Sequence, residues 1–238
     1  MNDVVLNLRS VTKAFEERPV LKDIELTINA GESVFVCGIN GVGKSTLLRV
    51  AAGLLQPDSG SIEICGWDIR KDPEKAKAGI GVISHKSMVY SDLTVLENLL
   101  FFANLYGVKN PLHRVNELLS DVELGAYRYD RAGILSRGLL QRLSIARALV
   151  HKPVLLLADE PFTGLDNNSC EHLVAILTEF IDETHSVLMT THDAGIGLRC
   201  SDRVVVLDKR SIVFDARTSQ IDPSKFAKDY VGYARSCR

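Results

Sequence analysis

The run Gly38-Ile39-Asn40-Gly41-Val42-Gly43-Lys44-Ser45-Thr46 has the composition and spacing of an anion cradle. Its glycines let the main chain fold tightly enough for several N–H groups to face inward as a nest for phosphate. A helical pattern begins at Lys44, so the positive end of a helix dipole points at the same place. Lys44 is then placed to reach the β- and γ-phosphates of a nucleoside triphosphate, and the Ser45 hydroxyl to sit on Mg2+. The plainer alternative is a glycine-rich turn ahead of an amphipathic helix. The apolar stretch Ser33 to Cys37 before the loop and the helical stretch after it weigh against that reading.

A phosphate cradle still lacks a metal anchor and a means of activating water. The apolar run Val154 to Ala158 ends in Asp159-Glu160, which supplies both. Ligands of open α/β sheets gather at the carboxyl ends of strands, where these two acids fall. Asp159 is expected to hold Mg2+, directly or through water, and Glu160 to polarise the attacking water as general base. A strand that merely ends in solvated acids is the competing reading, and the phosphate loop in the same chain argues against it.

These residues need elements to position them. Val4 to Val11 and Leu21 to Ile28 read as alternating strands, and Ser61 to Cys65 follows the turn Gln56-Pro57-Asp58-Ser59-Gly60. The helix after the loop is expected over Lys44 to Leu55, and a buried strand over Gly79 to Ser84. Thr94-Val95-Leu96-Glu97 is a capping box that opens an apolar helix to Tyr106. Further helical patterns cover Pro111 to Leu119 and Leu139 to Val150. Strand and helix then alternate through Val154 to Ala158, Asn168 to Asp182, Ser186 to Thr190, Arg203 to Leu207 and Ser211 to Phe214. That alternation predicts an α/β core with a largely parallel sheet, interrupted by a helical insertion over about residues 86–150.

Bulk properties narrow the classes. A chain of 238 residues, 46% hydrophobic and 24% charged, suits a globular fold with a sizeable core. A net charge of −2 without a dense basic run gives no electrostatic footprint for nucleic acid, and none is expected as a partner. No apolar stretch approaches the ~20 residues a membrane span needs, and the start of the chain lacks a signal-peptide pattern. Cys37, Cys65, Cys170, Cys200 and Cys237 form no CxxC pair, which favours thiols in a reducing compartment.

Leu135-Ser136-Arg137-Gly138-Leu139-Leu140-Gln141-Arg142 resembles the signature (LSGGQ, then QR) of ATP-binding-cassette ATPases. Phosphate loop, signature, Asp-Glu-Pro strand and a late histidine occur in that family's order through nearly the whole chain. Thr163-Gly164-Leu165-Asp166 matches its D-loop, Thr191-His192-Asp193 its switch-histidine turn, and Phe15 the aromatic placed against adenine. The resemblance implies a P-loop NTPase (RecA-like) core with an antiparallel β subdomain and an inserted α-helical subdomain. It implies one domain over residues 1–238, with a core lobe of about 1–85 and 151–218, a helical lobe of about 86–150 and a tail of about 219–238. It also implies two nucleotide-binding domains facing head to tail, as a homodimer or pseudo-dimer around two ATP molecules. In that arrangement Ser136 and Gly138 contact the γ-phosphate from across the interface, and His192 ties the γ-phosphate to Glu160.

Two departures stand out. Arg137 and Leu139 replace the Gly and Gln usual in the signature, while His85, in Ile83-Ser84-His85-Lys86, replaces a Gln that contacts metal or water and senses the transmembrane partner. Imidazole can still donate or accept a hydrogen bond, but it titrates near pH 6.5. The His85 turn and the Ser-Arg-Gly signature resemble the ATPase subunit of the haem exporter of cytochrome c maturation. The family resemblance implies an ATPase peripheral on the cytoplasmic face of the inner or plasma membrane, working with integral membrane permease subunits. The cargo is left open between haem and the drugs, lipids or polysaccharides of other exporters, with a soluble family member as a further alternative. In the helical lobe, Tyr90, Leu93, Leu99, Phe101 and Phe102 could line a permease groove, though most are expected in the core. The tail, with Phe226, Tyr230 and Tyr233 among charges, is left unassigned, a short docking helix being one reading.

Overall fold

The apolar runs fold as the alternation of their side chains dictates. In the computed structural model, which describes residues 4–84, 87–228, 230 and 232, β1 (Val4–Phe15) and β2 (Arg18–Asn29) form a hairpin. The strand β3 (Ser33–Cys37) then leads through the glycine loop into α1 (Lys44–Ala51). Short elements come next: β4 (Ser59–Ile64), β5 (Trp67–Asp68), α2 (Pro73–Ala78) and β6 (Ile80–Ile83). The helices α3 (Val95–Leu105), α4 (Pro111–Asp121) and α5 (Arg137–Leu149) precede β7 (Leu155–Asp159). Then come α6 (Asn167–Phe180), β8 (Ser186–Thr190), α7 (Ala194–Arg199), β9 (Arg203–Asp208), β10 (Ser211–Arg217) and α8 (Pro223–Lys228).

Two sheets result. One is antiparallel, in the order β2-β1-β4-β5; the other runs β10-β9-β3-β8-β7-β6, parallel except for β10 at its edge. The strands β3, β7 and β8 are buried on both faces, as parallel strands between layers must be. On one face Val34, Val36, Leu155, Leu157 and Leu188 pack with α1 and the antiparallel sheet. On the other, Leu156, Ala158, Val187 and Met189 share a core with Val95, Leu99, Val115, Leu118 and Leu143 of the helical insertion. The period-2 alternation of one strand therefore joins two hydrophobic cores, and their common boundary is the sheet that ends at the candidate site.

Several details differ from the sequence expectations. The helix α1 stops at Ala51 rather than Leu55, because Gly53 turns at φ +62 and packs where a Cβ would strike Ile69 Cδ1 at 2.4 Å. The short helices α2 and α7 had no periodic signal to mark them. The helix α3 is apolar on nearly all sides, so its periodicity misassigns its faces. Of Tyr90, Leu93, Leu99, Phe101 and Phe102, Leu99 alone is fully buried; Tyr90 and Phe101 are 51% and 42% exposed. The capping box at Thr94 and Glu97 forms as expected, with the Glu97 N–H donating to Thr94 Oγ1 at 3.1 Å and the Thr94 N–H to Glu97 Oε2 at 2.8 Å. In the tail, α8 buries Phe226 against the sheet beside Phe35; Tyr233 and Cys237 lie outside the described residues.

Candidate functional site

The glycine loop leaves the carboxyl end of β3 with no room to spare. A Cβ on Gly38 would lie 2.5 Å from the Leu207 carbonyl oxygen, and one on Gly43 (φ +117) 3.0 Å from that of Val20. Ile39, Asn40 and Gly41 are exposed at the loop's crest, while Val42 packs under it. Lys44, 8% exposed, curls back so that Nζ donates to the Gly38 carbonyl at 2.7 Å. The ammonium thus sits inside the loop, where an anion held by the loop's N–H groups would meet it. Burial pushes the Cys37 thiol, at the loop's root, up to about 12, so it stays a protonated, inert packing group.

The first turn of α1 faces the end of β7. Ser45 Oγ donates to Asp159 Oδ1 at 2.9 Å, and Thr190 Oγ1, fully buried at the end of β8, donates to the same oxygen at 2.9 Å. The Thr190 hydroxyl also accepts the Glu160 N–H at 3.1 Å, so one side chain bridges both acids. The parallel register that pairs Asp159 with Thr190 makes this bridge. Hydroxyl and carboxylate oxygens of this kind are hard donors suited to Mg2+, which takes a few protein ligands and completes its shell with phosphate and water. The residues present therefore fit the metal.

Glu160 adopts the left-handed conformation, φ +52, which is costly for a side chain of this kind and turns it away from the strand. Its Oε2 accepts the His192 N–H at 3.1 Å, lies 2.9 Å from His192 Nδ1, and accepts from Thr163 Oγ1 at 3.4 Å. An ionised carboxylate can only accept, so Nδ1 carries the proton in that pair. The imidazole is 65% exposed and faces outward. Phe15, at the hairpin tip between β1 and β2, is 48% exposed, with Lys13 Nζ 5.8 Å from its ring centre.

Ser136 caps α5, its Oγ accepting the Leu139 N–H at 3.4 Å, and Asp166 caps α6 by accepting from Ser169 N at 2.8 Å. That bond holds the Asp166 carboxyl below the usual range. The structure thus brings Gly38–Thr46, Asp159, Glu160 and His192 together at the ends of β3, β7 and β8. Ser136, Gly138 and Asp166 are displayed on the adjoining loop and helix starts instead. His85 lies outside the described residues. Sequence reasoning missed Thr190, whose hydroxyl holds Asp159, and read Gln141 only within the signature, without the bond its amide donates to the Pro161 carbonyl at 2.9 Å. The available signal for Thr190 was a hydroxyl closing an apolar strand just before the Thr191-His192 turn.

Beside the loop, Leu48, Ala52, Leu54, Val82, Met88 and Leu157 line a largely apolar groove of about 320 Å3 to which Arg49, Ser84 and Asp159 add polar groups. No helix among the described residues is long and apolar enough to cross a membrane.

Comparison with known proteins agrees with this geometry. A family model described as ABC transporter matches residues 21–163. The ABC transporter ATP-binding protein NatA of Bacillus subtilis (strain 168) is 30% identical over 234 residues, covering 94% of each chain. The linearmycin resistance ATP-binding protein LnrL of the same organism is 32% identical over 211 residues, 88% of this chain and 68% of that one. A solved dimeric post-hydrolysis state of an ATP-binding cassette with ADP and Pi bound superposes with a TM-score of 0.82 at 29% identity, covering 90% of this chain and 98% of that one.

Proposed function

The chain belongs to the ABC transporter ATP-binding family and is an ATP hydrolase of that kind; from that premise we propose that it powers an exporter through separate membrane subunits. The observation that carries the reading is the network of Ser45, Asp159, Thr190, Glu160 and His192 beside the glycine loop. Lys44 and the N–H groups of Gly38–Thr46 bind the triphosphate, and Phe15 stacks on the adenine. Ser45 and Asp159 hold Mg2+, which when bound offsets the charge of the β- and γ-phosphate oxygens. Glu160 takes the proton of the attacking water as its oxygen bonds to the γ-phosphorus, and ADP departs with the bridging oxygen. His192, hydrogen-bonded to Glu160, orients that carboxylate and reaches the γ-phosphate with its exposed edge.

Because Ser136, Gly138 and Asp166 are displayed away from the chain's own phosphate loop, they serve the nucleotide of a second copy. Two chains then close head to tail around two ATP molecules, and hydrolysis opens them. Residues 86–150 act as the helical lobe, and the exposed Tyr90 and Phe101 beside the Met88 groove dock a helix of the permease. The chain thereby sits peripherally on the cytoplasmic face of the membrane. Relatives named for linearmycin resistance and Nod factor export support the export reading, while another is named for spermidine/putrescine import. Haem, suggested by the signature and the His85 turn, is not the cargo named for any of these, and it enters the test as one arm.

The test uses Glu160→Gln protein trapped with ATP in solubilised native membranes, with mass spectrometry of what co-purifies. Recovery of polytopic permease subunits supports the exporter; a haem-handling chaperone among them assigns haem as cargo. Recovery of ribosomal or DNA-bound partners without any permease would overturn the reading.

A further inference from the structure

The helix that opens with Ser136-Arg137-Gly138 leans at three places on the segment after Glu160. The Gln141 amide reaches the Pro161 carbonyl at 2.9 Å. A Cβ on Gly138 would lie 4.0 Å from Ser169 Oγ in the first turn of α6. One turn before Gln141, on the same face of α5, the Arg137 guanidinium covers Gly164. A Cβ at position 164 would lie 2.5 Å from Arg137 Cζ, 2.6 Å from Nε and 2.8 Å from Nη1. The end of the Arg137 side chain therefore lies directly over Gly164, at an exposed position on the surface. Gly164 is also at φ +79, a backbone conformation that favours glycine at this position.

This contact cannot be made by the glycine that the family's signature usually carries at position 137. It also links two groups with different tasks. Ser136 and Gly138 belong to the element displayed toward a second copy. Gly164 comes directly after Thr163, whose hydroxyl donates to Glu160 Oε2 at 3.4 Å, and precedes Asp166, which caps α6 through Ser169. Glu160 itself is held at φ +52, a conformation that persists only while its surroundings enforce it. The guanidinium is a preorganised plane that can lie flat over a glycine, a contact that the point charge of an ammonium does not reproduce.

We propose that Arg137 is a positioning residue that couples the two nucleotide sites within one protomer. It fixes the helix start that reads the partner's γ-phosphate to the loop that sets Glu160 on the protomer's own ATP. The inference rests on the head-to-tail dimer reading above. Arg137 touches neither nucleotide nor metal in this scheme. Its loss leaves ATP binding at Lys44 and Ser45 intact, but the arrival of ATP at one site no longer sharpens the geometry of Glu160 at the other.

The experiment compares the full chain with Arg137→Gly, Arg137→Lys, Gly164→Ala and the Arg137→Gly/Gly164→Ala double variant. Equilibrium ATP binding, kcat, KM and the Hill coefficient of turnover are measured, with ATP-driven dimerisation monitored by light scattering in the Glu160→Gln background. For Arg137→Gly the expected result is unchanged binding, kcat lower by about tenfold and a Hill coefficient that falls toward 1. Arg137→Lys is expected not to rescue, because an ammonium cannot pack as a plane over Gly164. Gly164→Ala should reproduce the Arg137→Gly phenotype, and the double variant should lose less than the two singles together. A variant that fails to fold is recognised by circular dichroism, and the two Arg137 variants then carry the test. A dimer that forms while kcat and the Hill coefficient of Arg137→Gly match the parent overturns the coupling alone. A parent Hill coefficient of 1 also overturns it. Failure of the Glu160→Gln chain with Arg137 intact to dimerise with ATP overturns the dimer reading itself, and the coupling with it.

Discussion

Replacing Thr190 with valine isolates one hydroxyl at the centre of the site. The side chain keeps its shape and its place in a fully buried strand end. Asp159 Oδ1 loses the Thr190 donor at 2.9 Å and retains Ser45 at 2.9 Å. The Glu160 N–H loses the hydroxyl but keeps the Thr190 carbonyl at 3.1 Å, so no backbone donor is stranded. The change therefore reduces to one hydrogen bond to a charged carboxylate, about 1.5–3 kcal/mol. For a chain of this size each kcal/mol moves the melting midpoint by about 2–4 °C, so Thr190→Val should melt roughly 3–12 °C lower. Freed on one side, the Asp159 carboxylate should also hold Mg2+ less well, raising the Mg2+ concentration for half-maximal turnover several-fold. Thr190→Ser keeps the hydroxyl and loses a methyl, so it should melt within a few degrees of the parent and keep the parental Mg2+ requirement. Thermal unfolding without nucleotide and a Mg2+ titration of turnover read the two effects. A Thr190→Val chain with the parental midpoint and Mg2+ requirement would show that the hydroxyl bridge contributes nothing.

Lys44→Ala should weaken ATP binding by about 100-fold or more, since a charge-assisted contact to two phosphates is lost; equilibrium binding within threefold of the parent would undo the loop assignment. His192→Ala should lower kcat while leaving the unfolding midpoint within about 1 °C, because the ring is mostly exposed and surface changes cost little; unchanged turnover would remove His192 from the mechanism. Burial, reinforced by the nearby Arg147 and Arg114 and opposed by its bond to the Ile80 carbonyl, pushes the His151 imidazole down from 6.5 to about 4. The unfolded chain thus binds a proton that the folded one refuses between those pH values, so stability is complete above pH 6.5 and falls as pH drops toward 4. Allowing for partial exposure, the loss from pH 7.5 to 5 is about 1–2 kcal/mol. Denaturant unfolding of the parent and His151→Gln across that range should show slopes that differ by this amount, and parallel profiles would contradict it.

The phosphate loop and the Asp159-Glu160 pair were legible because each is a short run whose flanking strand and helix lie in the same stretch of chain. A capping box reads just as locally, and Thr94 and Glu97 form theirs. Thr190 was not legible for a different reason. Its importance comes from a parallel register that pairs residue 159 with residue 190, and nothing within either strand states that pairing. Arg137 was visible as a departure, but the glycine it covers lies across a loop whose path depends on Gln141 and Pro161. Along α3 the difficulty was one of pattern. Val95, Leu99 and Ala103 face the core, yet Phe101 and Leu105 are equally apolar and exposed, so hydrophobicity alone could not say which side was inward.

The distribution of burial in the site bears on what one chain can do alone. Beneath the exposed crest of the phosphate loop the charged groups are buried: Lys44 and Asp159 are each 8% exposed, the Thr190 that supports Asp159 is fully buried, and each has its partner within the chain. The residues expected to meet a second copy are arranged in the opposite way. Ser136 and Asp166 stand exposed at helix starts. A polar network completed inside the chain is rigid and costs nothing to reorganise when ligand arrives. An exposed set gains its value only on closure, when water leaves and each interaction strengthens. On the dimer reading proposed above, binding of nucleotide by one chain and hydrolysis by two is the division of labour that this distribution favours.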